Sequence, residues 1–325
     1  MSIRSSLVLL AFLFSTLAKA QSETATEGRN IAGYTPRISL CVVGLALYGL
    51  SGVIHWIHWK RNTNNRYMLT LTLGMTCMFV GFCIRIAQES NTDSLIVYIL
   101  TTLFLLLSPC AFLATNYVLL TRLAQALDAN SALFIRASLI VTIFVGADVF
   151  TFFLQASGGG LSATEGNADI GHTIALIGLG TQLAFFSLYC ILLLVFGIRV
   201  RKMFPEYRQQ TQRLRLGSYN PFATTPINDW QALWILMLVS SVGIIIRSVF
   251  RLIEYAGGYD GNLATTESYF YCLDALPLWL AMSLYCIFWP SRFIEGAKTL
   301  KREGQVVSSP ASEEVKLDDW RKESV

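Results

Sequence analysis

The sequence predicts an all-α polytopic membrane protein with seven transmembrane helices, its N-terminus outside and its C-terminus in the cytosol. Three observations carry that expectation. Only 14% of the 325 residues are charged against 54% hydrophobic, and the mean hydropathy is +0.51, whereas soluble domains carry about a quarter charged residues. Seven continuously apolar runs follow one another, each long enough to cross a ~30 Å hydrocarbon core. The loops between them also alternate in charge.

The chain opens with Arg4, an apolar run over 7–17, and Ala18-Lys19-Ala20. That run is too short to span with ease, and Ala-x-Ala closes it like a signal-peptidase site. A signal peptide is therefore expected over 1–20, with an uncleaved anchor as the alternative, followed by a short extracellular segment over 21–37. The transmembrane domain is placed at 38–290, with spans at 38–59, 67–88, 95–120, 137–155, 173–197, 232–255 and 269–289. Helices are expected rather than a barrel because the runs do not alternate. Pro109 and Pro277 are expected to kink spans three and seven. Gly158-Gly159-Gly160 reads as an extracellular turn, and 291–325, polar and without an apolar stripe, as a flexible cytosolic tail.

Orientation follows from the loops. Lys60, Arg61 and Arg66 follow span one, Arg122 and Arg136 span three, and Arg199, Arg201, Lys202, Arg208, Arg213 and Arg215 span five. The alternate loops carry Glu89, Asp93, Glu165, Asp169 and Asp260, with no lysine or arginine. Under the positive-inside rule those alternate loops are extracellular.

The basic residues are thus disposed by membrane side, which does not suit nucleic-acid binding. The seven cysteines lie in or beside apolar runs without a CxxC pair and read as apolar fillers, not as a disulfide framework or zinc site. His55 and His58 lie near the cytosolic end of span one and His172 begins span five on the opposite surface, so the three cannot share one metal. The first two read as interfacial side chains beside Trp56 and Trp59. No catalytic residue, metal or cofactor is expected.

Ionisable residues inside such spans are costly, at least ~2.5 to 3.5 kcal/mol each on insertion scales, and normally face a protein interior or a wet cavity. Arg247, Arg251 and Glu254 fall at i, i+4 and i+7, so one helix face carries all three and Arg251 can pair with Glu254. Glu267, Tyr271 and Asp274 repeat that spacing after a glycine-containing turn. At ~1.5 Å per residue, Asp148 lies within about 3 Å of the middle of span four, while Arg247 and Asp274 lie roughly 5 to 7 Å outward in theirs. Arg85, Arg251 and Glu254 are nearer the outer surface. These six balance, three positive against three negative, and all fall in the outer half. The expected feature is an outward-facing polar cavity among spans two, four, six and seven, with Gln155 and Gln182 bonding across helices. Such a cavity suits an amphiphile with a charged head and an apolar tail.

An ordered set of motifs resembles the fungal lipid-translocating exporter family, the group associated with aminocholesterol resistance and sphingoid-base efflux. It comprises Tyr34-x-Pro36, Gly81-Phe82-x-x-Arg85, Pro109, Tyr117-x-x-Leu120-x-Arg122, Asp148-Val149 through Gln155 to Gly158-Gly159-Gly160, Gly178-Leu179-x-x-Gln182, Arg247-x-x-Phe250-Arg251-x-x-Glu254, Gly258-x-x-Gly261, Glu267, Tyr271 and Asp274. The resemblance implies a seven-span translocator in the plasma membrane, or a vacuolar or other endomembrane, handling amphiphilic lipids such as sphingoid bases and conferring resistance to toxic amphiphiles. Met78 stands where that pattern has an acidic residue, and Ser108 and Thr121 replace small ones. The same topology also suits a seven-span receptor of an amphiphilic ligand, although span three lacks the acidic-Arg-aromatic triplet and span seven lacks Asn-Pro-x-x-Tyr. An intramembrane enzyme is disfavoured, because the histidines are separated and no span carries a lysine for retinal. No Gly-x-x-x-x-Gly-Lys-Ser/Thr loop is present to bind ATP. Proton coupling through Asp148, Glu254 or Asp274 and downhill flipping both remain open. Asp148 or Asp274 is the expected acceptor for a substrate ammonium.

Overall fold

The computed structural model describes residues 37–62, 65–90, 94–162, 168–204, 207, 219–258 and 267–307. The expected signal peptide, the N-terminal segment before Arg37 and the last eighteen residues lie outside these. Seven helices are long and apolar enough to cross a membrane: α1 (Ile38–Arg61), α2 (Leu69–Ser90), α3 (Leu95–Ala126), α4 (Ala137–Ser162), α5 (Ala168–Met203), α6 (Trp230–Ala256) and α7 (Glu267–Ile287). Consecutive helices pack on one another and the ring closes between α7 and α1, while α3 also reaches across to α5 and α6. Exposed leucine, isoleucine, valine and phenylalanine, such as Leu50, Ile96 and Phe150, cover the outside, as a lipid-facing surface requires.

Several expected boundaries move, each for a local reason. Gly158-Gly159-Gly160 is not a turn; it continues α4 as helix to Ser162. A Cβ on Gly158 would stand 2.5 Å from the Ala175 amide nitrogen, and one on Gly171 would strike the backbone of Ser162 and Gly158. These glycines let α4 and α5 touch backbone to backbone, the familiar use of small residues between membrane helices. In α7 the six residues Phe270–Ala275 form a π-helical turn, with the Leu276 amide donating to the Tyr271 carbonyl. Pro277 explains it: the ring has no N–H for Leu273 and would clash with that carbonyl in a regular helix.

The tail expected from Ser291 onward is in part an eighth helix, α8 (Pro290–Val307). Its apolar stripe includes Phe293, Ile294 and Ala297, all buried in the common core. Beside them Arg292 is buried and holds the 219–229 segment. Its Nε donates to the Thr225 carbonyl at 3.0 Å and its Nη1 to the Asn220 carbonyl at 2.9 Å, while the Ile227 amide donates to the Arg292 carbonyl at 3.0 Å. His58 is buried in the same region, stacked between Phe222 and Trp289, and His55 is buried behind it, so neither is an interfacial side chain. Arg292→Ala strips charge-assisted bonds worth roughly 1.5 to 3 kcal/mol each from the Thr225 and Asn220 carbonyls. Hydrogen exchange over 219–229 is expected to accelerate at least tenfold in that variant, with the spans unaffected.

Candidate functional cavity

A cavity of about 180 Å³ opens at the bundle end that the loop charges read as outer. Its wall is built mainly by α3, α5 and α6, with Arg85 and Gln88 from α2, Gln155 from α4 and Phe270 from α7. From α6 come Arg247, Ser248, Arg251, Glu254 and Tyr255, one face of a regular helix as their spacing requires. The deeper wall is apolar, through Leu106, Pro109, Leu113 and Leu179.

Behind the wall lies an ion-pair network. Arg247 and Arg251 both pair with Asp274, whose side chain is fully buried. Arg251 also reaches Glu254, Nη1 to Oε2 at 3.0 Å, and Arg247 Nη2 donates to the Leu105 carbonyl at 3.2 Å. Arg85 lies 3.6 Å from Glu267, which accepts from the Arg37 amide at 3.0 and 3.1 Å. The guanidiniums of Arg85 and Arg251 both stand over the ring of Phe270, at 4.5 and 5.3 Å, so cation–π attraction adds to the pairing. Toward the floor Gln155 Nε2 donates to Gln182 Oε1 at 2.9 Å, and at the rim His172 meets the Tyr255 carbonyl.

Of the ten expected site residues, Arg85, Gln155, Gln182, Arg247, Arg251 and Glu254 are on the wall. Asp274 and Glu267 are not; they sit behind it, engaged by wall arginines. Tyr271 turns away, its hydroxyl 3.2 Å from Cys41 Sγ on α1 and its ring against Phe82, because the π turn breaks the i, i+4, i+7 repeat that placed it with Glu267. Asp148 is also off the wall, beside Tyr117 in an aromatic layer of Phe144, Phe186 and Tyr189. The expected spans two, four, six and seven are therefore corrected: α3 and α5 supply much of the wall and α4 supplies Gln155. Residues the sequence reading passed over include Gln88, Tyr98, Thr101, Thr102, His172 and Phe270. Tyr98, Thr101 and Thr102 in an otherwise apolar stretch were the available signal.

The family model for RTA1 like protein matches residues 71–297, and Protein RTA1 of Saccharomyces cerevisiae is 31% identical over 290 residues, 82% of this chain and 86% of that protein. The chain belongs to the RTA1-like family. Other relatives of this RTA1-like chain are the Protoporphyrin uptake protein 1 of the same yeast, 29% identical over 208 residues (64% of this chain, 63% of that protein), and the Sphingoid long-chain base transporter RSB1, 23% identical over 302 residues (86% and 78%). No solved structure matches the chain. Met78, where the family pattern suggested an acidic residue, is buried in the bundle core and absent from the cavity wall.

Proposed function

We propose that this RTA1-like protein translocates amphiphilic lipids of the sphingoid long-chain-base class across the plasma membrane, performing no chemistry on them, and so confers resistance to toxic amphiphiles. The observation that carries the reading is the cavity itself, charged at one end and apolar below, and two of the relatives are named for uptake or transport. At about 180 Å³ it is smaller than the roughly 300 to 1,000 Å³ of pockets that enclose drug-sized ligands. It holds a head group and the first methylenes, and leaves a long tail among the helices and lipid.

An amino-diol head matches the wall. Among the described residues Glu254 is the carboxylate on the wall and takes the ammonium, while Arg247 and Arg251 donate to the hydroxyls. That role moves from Asp274 and Asp148, where the sequence reading put it, to Glu254. Purified protein in proteoliposomes is expected to move fluorescent phytosphingosine between leaflets, and Glu254→Gln is expected to lower that rate at least tenfold while the protein stays folded. Unchanged movement in Glu254→Gln contradicts the head-group assignment. Saturable binding without any movement in the wild type makes the protein a receptor instead.

A further inference from the structure

Asp148 stands apart from the other carboxylates of the set. Glu254, Glu267 and Asp274 each reach an arginine, whereas Asp148 takes part in none of the ion pairs among the described residues. It is 2% exposed, and neither carboxylate oxygen closes a hydrogen bond of regular geometry. From α3 the Tyr117 phenol lies beside it and the Cys110 thiol lies within its field. From α5 Tyr189 packs on Tyr117, their ring centroids 4.7 Å apart, and gives its hydroxyl hydrogen to the Asn116 carbonyl. On α4 itself Thr151 donates to the Asp148 carbonyl, not to its side chain.

An ionised carboxylate buried this deeply without a cation is far costlier than the acid. Asp148 is not isolated from the cavity. Gln155 stands seven residues further along α4, about 10 Å at 1.5 Å per residue, and bonds Gln182, whose Nε2 lies 3.7 Å from Cys110 Sγ. On the other side, Asn116 follows, with an amide nitrogen that makes no hydrogen bond and an Oδ1 that accepts from Tyr285 at 2.9 Å, Ser240 lying 2.9 Å beyond. A broken row of polar groups thus runs from the cavity floor past Asp148 into the centre of the bundle.

We propose that Asp148 is a proton-binding site through which lipid movement is coupled to proton movement. The proposal rests on the translocation reading above. Water entering with the head group takes the proton from the carboxyl and carries it past Tyr117 and the Tyr285 and Ser240 hydroxyls to the inner side, while Asn116 holds that row by accepting from Tyr285 and relays no proton itself. A proton from the cavity end restores the acid once the head group has left. One proton is bound and one released per cycle, with no other bond made or broken.

The test uses the full chain in proteoliposomes loaded with the pH dye pyranine, with fluorescent phytosphingosine and an imposed pH gradient. The wild type is expected to move the lipid several-fold faster with the gradient and to report a proton flux on addition of the lipid. Asp148→Asn, which copies the neutral acid in shape, is expected to bind the lipid as tightly in detergent and to lose both responses, while Asp148→Glu keeps them. Coupling is overturned if Asp148→Asn retains the gradient response, if Asp148→Glu binds the lipid but loses it, or if wild-type movement ignores the gradient. In that last case the translocation reading stands without it. A wild type that moves no lipid at all overturns both.

Discussion

Asp274→Ala is expected to yield a chain that inserts in the membrane but does not hold its fold. Asp274 is fully buried and pairs with both Arg247 and Arg251, whose side chains are only 7% and 23% exposed. Removing it leaves two guanidiniums inside the bundle facing the space it vacated, and Arg247 keeps one carbonyl bond, to Leu105. Breaking a buried ion pair by deleting one partner costs about 3–5 kcal/mol, a large part of the roughly 5–15 kcal/mol by which folded proteins exceed their unfolded states. The purified variant should aggregate on size exclusion or melt far below the wild type. Adding Arg247→Leu should recover part of the loss, because the two changes act on one interaction. A melting curve unchanged by Asp274→Ala would show that the pair contributes no stability. Any transport defect at Asp274 is accordingly expected to trace to folding, whereas Glu254→Gln acts on the ligand.

Gly158→Val is expected to have an effect of similar size through sterics. The new Cβ would meet the Ala175 nitrogen at 2.5 Å, the Gly171 oxygen at 2.7 Å and the Ala175 Cα at 2.9 Å. All three are backbone atoms, so no side chain can swing aside and the whole helix must move. Overpacking a core costs about 1–3 kcal/mol when side chains can adjust, and the upper end or beyond applies where they cannot. The shift would part α4 from α5 where Gln155 meets Gln182, so the variant should lose both thermal stability and phytosphingosine binding. Gly159→Ala is the control: a Cβ there meets nothing within 4 Å, and alanine favours the helix. Equal damage from both changes would refute the close-approach explanation.

How much of this was legible beforehand depended on which geometric variable a residue needed. The seven spans were readable because hydrocarbon thickness sets a length and continuous apolarity marks it. The Arg247, Arg251 and Glu254 stripe was readable because α6 is a regular helix, so spacing alone fixes the face. Tyr271 was misplaced because Pro277 inserts a π turn that spacing arithmetic does not contain. Asp148 was misplaced because depth gives height in the membrane but not the direction a side chain points. Gly158 was read as a loop because glycine marks turns and close helix contacts alike, and only the position of Gly171 decides between them. α8 was legible but missed: Phe293, Ile294, Ala297 and Leu300 fall at i, i+1, i+4 and i+7, a helical spacing hidden only by the low overall hydropathy of the charged residues between them. Its burial is created by partners distant in sequence.

The cavity's role as a head-group site stands or falls on where a ligand's head actually rests. A phytosphingosine analogue carrying a photoactivatable diazirine beside the amino-diol, irradiated with the reconstituted protein and mapped by peptide mass spectrometry, reads that position directly. The expected crosslinks fall on the charged end of the α3 and α6 wall, around Tyr98, Thr102, Ser248 and Tyr255, and are competed by unlabelled phytosphingosine. Crosslinks confined to outward-facing residues such as Leu50, Ile96 and Phe150, and insensitive to competitor, would contradict it.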